Sequence, residues 1–101
     1  IIPGVIVPLK NTDWHIGWNT LECTQQSNKL KISTEEMFYF NHSYIYSGPA
    51  EYQVYQTEHH SKFASVIRNQ NTIGLQFHPE KSQMSGKKLL LNLIYGVVEG
   101  A

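Results

Sequence analysis

The residues best suited to chemistry sit two apart. His78 and Glu80 close the run Gly-Leu-Gln-Phe-His-Pro-Glu-Lys-Ser that occupies residues 74–82. In extended backbone, residues i and i+2 project to the same side about 6.5–7 Å apart, so the imidazole and the carboxylate can approach each other while Ile73, Leu75 and Phe77 face a core. A histidine whose second ring nitrogen is held by a carboxylate has a fixed tautomer and raised basicity, as a proton acceptor for a nucleophile requires. Pro79 has no backbone N–H, so the strand is expected to stop there and present both side chains at its end. The same spacing also suits ordinary strand-end polar residues bonded to loops, and a nucleophile is what would tell the two apart.

The chain has one cysteine, Cys23, flanked by Glu22 and Thr24 on a predicted strand with no glycines to permit a strained turn. It reads as a structural thiol. A single cysteine makes no internal disulfide, which fits a reducing compartment. His59 and His60 are adjacent, so in a strand they diverge to opposite faces. With no Cys or third His at ligand spacing, no metal site is expected, and nothing implies a cofactor.

Eight basic and eight acidic residues cancel in this chain of 101, so no charge field points to nucleic acid or a membrane surface. No apolar segment approaches the roughly 20 residues that span a bilayer, and no charged region followed by an apolar stretch opens the chain, which reads as soluble and cytoplasmic. The length allows one domain with a modest core, and 41% hydrophobic and 12% aromatic residues support a folded state. The first residue is Ile1 rather than Met, as in a piece of something longer.

The elements that must position the pair read as short strands followed by one helix. Residues 1–9 carry a Pro-Gly turn and a β-branched run closed by Pro8, a first strand with edge character. Residues 10–13 are a polar turn. Residues 14–23 alternate as a second strand, with Ile16 and Trp18 on one face and Gly17 marking a bulge or close approach. A polar turn follows over residues 25–29. Residues 33–36 suggest a capped turn before a central strand over 37–46, where Phe38 and Phe40 share a face and Asn41, His42 and Ser43 break in at its exposed end. Asn41-His42-Ser43 also matches a glycosylation acceptor, discounted without a secretory signal. Ser47-Gly48-Pro49 is a turn, residues 52–57 and 63–67 are strands, and 69–71 is a turn into the opening stretch. Such short strands on tight turns predict antiparallel pairing. After Glu80 the period changes: residues 82–86 carry capping types, and Leu89, Leu90, Leu93, Ile94, Val97 and Val98 recur at helical spacing, with Lys87 and Lys88 outward and Gly96 near the end.

Three segments carry a resemblance: Gly74 to Gln83, Tyr39-Phe40-Asn41-His42-Ser43-Tyr44 and His15-Ile16-Gly17-Trp18-Asn19. Together they resemble the C-terminal half of a class I (triad) glutamine amidotransferase, and they span nearly the whole chain in that family's order. The core Gln-Phe-His-Pro-Glu is shared by many such enzymes. The continuation Lys81-Ser82-Gln83 and the other two segments narrow the resemblance to glutaminases of the imidazole glycerol phosphate synthase type.

The resemblance implies an α/β fold, here the C-terminal half of one amidotransferase domain, mostly antiparallel or mixed sheet plus a C-terminal helix. It implies that His78 is the triad base and Glu80 its orienter, that His42, Ser43 and Tyr44 line the glutamine substrate, and that Trp18, Asn19 and Lys81 face a partner synthase of (β/α)8 barrel type that receives ammonia. Trp14 departs from the family, where Pro usually precedes the histidine of that motif. The family's nucleophile sits on a Gly-x-Cys-x-Gly turn in the N-terminal half, and no such stretch occurs among these residues, so they are expected to hold two of three triad members and to be inactive alone. Two other functions stay open: a non-catalytic binding or scaffold domain, and an amidotransferase subunit feeding another acceptor, such as a surface-polysaccharide sugar. A half-domain would expose sheet edge and apolar surface, so self-association is expected.

Overall fold

The aromatic and β-branched runs form strands because such side chains pack on a pleated, half-buried surface. The computed structural model describes residues 2–9, 14–27, 32–70 and 72–89. Its strands are β1 (Val5–Pro8), β2 (His15–Asn19), β3 (Glu22–Cys23), β4 (Phe38–His42), β5 (Tyr44–Ser47), β6 (Gln53–His59), β7 (Ser61–Asn69) and β8 (Thr72–Leu75). They make one four-stranded sheet in the order β3-β6-β7-β8 and two ribbons, β1-β5 and β2-β4. All the pairings are antiparallel. A 3-10 turn over Pro79–Lys81 leads to a helix, α1, described over residues 83–89. Among the described residues no helix is long and apolar enough to cross a membrane. The expected turn at 10–13, the end of the polar turn at 28–29, Asn71, and the helix positions Leu90, Leu93, Ile94, Gly96, Val97 and Val98 lie outside the described residues.

The core lies between the large sheet and the β2-β4 ribbon. Phe38, Phe40, Val66, Phe77 and Leu89 are among its buried members, and Ile73 and Leu75 pack against it. Phe77 meets Phe38 at 4.6 Å and Phe40 at 5.5 Å between ring centroids. Burying each such ring contributes about 1.5–3 kcal/mol, so the residue before His78 is clamped by the core itself.

Three local expectations differ from what is observed. The stretch 14–23 is two strands in two sheets, because Asn19 ends β2 by turning its side chain onto backbone: its carbonyl accepts from Thr20 N at 2.8 Å and its amide donates to the Glu58 carbonyl at 2.9 Å. The stretch 37–46 is also split, but at Ser43 alone, whose carbonyl accepts from Leu9 N at 2.8 Å. Asn41 and His42 stay in β4, and His42 is buried rather than at an exposed end. Finally, β6 and β7 run to a hairpin whose single turn residue is His60, at φ 64°, so His59 belongs to β6.

Candidate functional site

His78 reaches its position through backbone bonds to β4 and the turn after it. Its N–H donates to the Tyr39 carbonyl at 2.8 Å, and its carbonyl accepts from Lys81 N at 3.1 Å and from the Ser82 hydroxyl at 2.7 Å. Ser82 in turn accepts from Tyr39 N at 2.9 Å, so one buried hydroxyl ties the site turn to the central ribbon. The strand ends at Leu75, and Glu80 sits inside the 3-10 turn rather than on extended backbone. That turn folds the carboxylate back, bringing His78 Nδ1 within 3.2 Å of Glu80 Oε1, closer than strand geometry alone would. Both side chains are substantially exposed, so the pair contributes at most about 1 kcal/mol to stability. What it does is hold the ring.

A glycine sets the turn's seat. A Cβ on Gly86 would lie 1.8 Å from the Pro79 carbonyl oxygen, so only glycine lets α1 approach the back of the turn this closely. Ser85 adds a 2.7 Å hydrogen bond to the Met37 carbonyl.

A second cluster of histidines lies buried between β2 and β4. Register places His15 opposite His42, and their nearest ring nitrogens, His15 Nδ1 and His42 Nε2, are 3.0 Å apart. The His15 ring is stacked between Phe40, 4.7 Å away, and His59, 4.2 Å away. His42 Nδ1 lies 3.0 Å from the Tyr44 carbonyl, and His15 Nε2 lies 3.3 Å from the Asn19 amide nitrogen. Burial above all holds the His42 imidazole below the ordinary value of 6.5, opposed by the Tyr44 carbonyl and aided by the nearby His59 and His78 rings.

Of the residues singled out in the sequence, His78 and Glu80 are brought together. His42, Ser43 and Tyr44 form the junction of β4 and β5, with both His42 ring nitrogens engaged inside, so what His42 can offer a ligand is backbone. Trp18 is exposed on the outer face of β2 and meets Tyr39 edge-on at 5.8 Å, while Asn19 points inward to His15 and Glu58. Lys81 is exposed on the site turn. Trp14 donates from its indole to Asn41 Oδ1 at 2.7 Å. Cys23 is exposed on β3 opposite Tyr55, in a different sheet from β4. Among the described residues no group of three or more His, Cys, Asp and Glu could hold a metal ion. The roles of His15, Ser82 and Gly86 are not visible in the sequence, where residues 82–86 are capping types and His15 is one residue of a segment that carries the resemblance. His15 could have been found as a polar residue in register with Gly17 and Asn19 on the face opposite the Ile16 and Trp18 stripe.

Residues 5–96 match the family described as Glutamine amidotransferase class-I. The chain is similar to the "Imidazole glycerol phosphate synthase subunit HisH" of Archaeoglobus fulgidus, 37% identical over 97 residues that cover 92% of this chain and 49% of that protein. It is 42% identical over 100 residues to the subunit of the same name from Colwellia psychrerythraea, covering 93% and 43%. A third from Trichodesmium erythraeum is 36% identical over 101 residues, covering 95% and 44%. The chain spans about half the length of the curated relatives it matches.

Proposed function

The chain belongs to the class-I glutamine amidotransferase family, and on that premise we propose that it carries the base and orienter of a glutaminase that supplies ammonia to a partner synthase. The observation that carries this reading is the His78–Glu80 contact of 3.2 Å on a turn whose backbone is fixed at three points. In this proposal His78 takes the proton of a cysteine nucleophile contributed from outside these residues, and Glu80 holds the ring and stabilises the imidazolium. The thiolate adds to the glutamine carboxamide carbon, His78 returns the proton to the departing nitrogen as ammonia leaves, and water hydrolyses the thioester to glutamate. The backbone of His42, Ser43 and Tyr44 lines the substrate.

The acceptor favoured here is imidazole glycerol phosphate synthase, because the similar proteins above bear that name. A surface suited to the barrel subunit supports this: Ile16 and Trp18 on β2 and Trp14 just before it are exposed and apolar, Tyr39 meets Trp18 edge-on, and Lys81 is exposed on the site turn. Val5 and Ile6 are exposed on β1, and the chain by itself is expected to self-associate through such surface.

The test is His78→Asn in the complete glutaminase–synthase complex. Glutamine-driven turnover should fall by several orders of magnitude while ammonia-driven synthesis stays intact. If both fell together, His78 would be serving structure, as in a scaffold domain.

A further inference from the structure

The His15–His42 contact admits a single arrangement of protons while both rings are neutral. At one end, the Tyr44 carbonyl can only accept, so His42 Nδ1 carries a hydrogen and, in a neutral ring, Nε2 is a bare acceptor. At the other end, the Asn19 side chain is fixed in orientation by Thr20 N on its oxygen and the Glu58 carbonyl on its nitrogen. Its second N–H therefore points at His15 Nε2, which must accept, leaving the hydrogen on His15 Nδ1 to meet His42. The two ends demand the same answer. Donation runs one way, from Asn19 through His15 and His42 to the Tyr44 carbonyl, and every link is buried or half-buried.

We infer that His15 is a positioning residue: through His42 it fixes the β4–β5 junction at Ser43 and Tyr44, with both imidazoles neutral and both in the Nδ1–H form. This rests on the reading of that junction as glutamine-lining. The strand changes sheets at this junction, β4 pairing with β2 and β5 with β1, so the relay from the β2–β4 ribbon adds a hold on its inner side to the bond that the Ser43 carbonyl accepts from Leu9 N. The relay also begins at Asn19, next to the exposed Trp18, so the substrate-facing backbone and the outer face of β2 are tied to one rigid chain of bonds.

The tautomer is directly observable. Long-range nitrogen–proton correlation spectra of the complete glutaminase–synthase complex at neutral pH should show Nδ1–H on both His15 and His42, the form less favoured by free histidine. An Nε2–H signal or a doubly protonated ring at either position would overturn the inference. In the glutaminase–synthase complex, His15→Leu should raise KM for glutamine about tenfold with kcat little changed, the size expected for one lost buried hydrogen bond. His15→Asn, whose amide can still donate to His42 Nε2, should restore KM. An unchanged KM in His15→Leu, or no rescue by His15→Asn in a folded protein, would refute the positioning role. Run beside these, His78→Asn keeps the two ideas separate: if that variant retained glutamine hydrolysis, the glutaminase reading would fail while the tautomer result stood on its own.

Discussion

His15 and His78 each hold a partner at near hydrogen-bond distance, 3.0 Å and 3.2 Å, but they are placed by opposite means. His15 is buried, stacked between two rings and fixed by strand register across 27 residues of sequence. His78 is half-exposed, fixed through its backbone on a turn, and its ring meets one carboxylate two residues on. The first arrangement spends both ring nitrogens on the protein and leaves nothing for a substrate. The second uses Nδ1 for the carboxylate and leaves the side chain 40% exposed, as a proton acceptor needs. Under the proposed function, burial of a histidine marks scaffold here, and exposure on a turn fixed through its backbone marks the chemistry.

The comparison can be broken hardest at the ring that supports both regions. Phe40 is fully buried, stacks on His15 and touches Phe77, so Phe40→Ala should cost about 3–5 kcal/mol in chemical denaturation and disturb both sites at once. Gly86→Ala separates them. Its methyl would overlap the Pro79 carbonyl, so about 1–3 kcal/mol is expected together with a displaced site turn, while the His15–His42 tautomers remain as in the parent chain.

A smaller effect distinguishes the regions by pH. Because burial lowers the His42 value below 6.5, the unfolded chain binds more protons than the folded one in the window below 6.5, and stability falls as pH drops through it. Protonation would also set an N–H on His42 Nε2 against the His15 donor. His42→Gln should flatten this part of the stability–pH curve, and an unchanged slope would show that His42 is not its source. Smallest of all, Lys88→Ala, which removes an exposed 3.2 Å pair with Glu36, should shift stability by no more than about 1 kcal/mol.

Much of this was legible in the sequence, and the limits have physical causes. The His-Pro-Glu spacing identified the pair because it is local, although a 3-10 turn rather than a strand closes the contact. The period-2 runs located most strands. The splits at Asn19 and Ser43 are not visible in sequence because they depend on bonds to backbone far away along the chain, from the Asn19 side chain to the Glu58 carbonyl and from Leu9 N to the Ser43 carbonyl. His15 was hidden for a related reason: its role appears only when register sets it opposite His42. Gly86 looked like part of a helix cap, and its function is visible only once Pro79 packs against it.

The most direct measurement of the central contrast is the unfolding midpoint of His78→Asn beside that of the parent chain. An exposed pair held by backbone predicts a midpoint within about 4–8 °C of the parent, since at most about 1 kcal/mol is removed. A fall as large as that of Phe40→Ala would contradict the account and make His78 part of the scaffold.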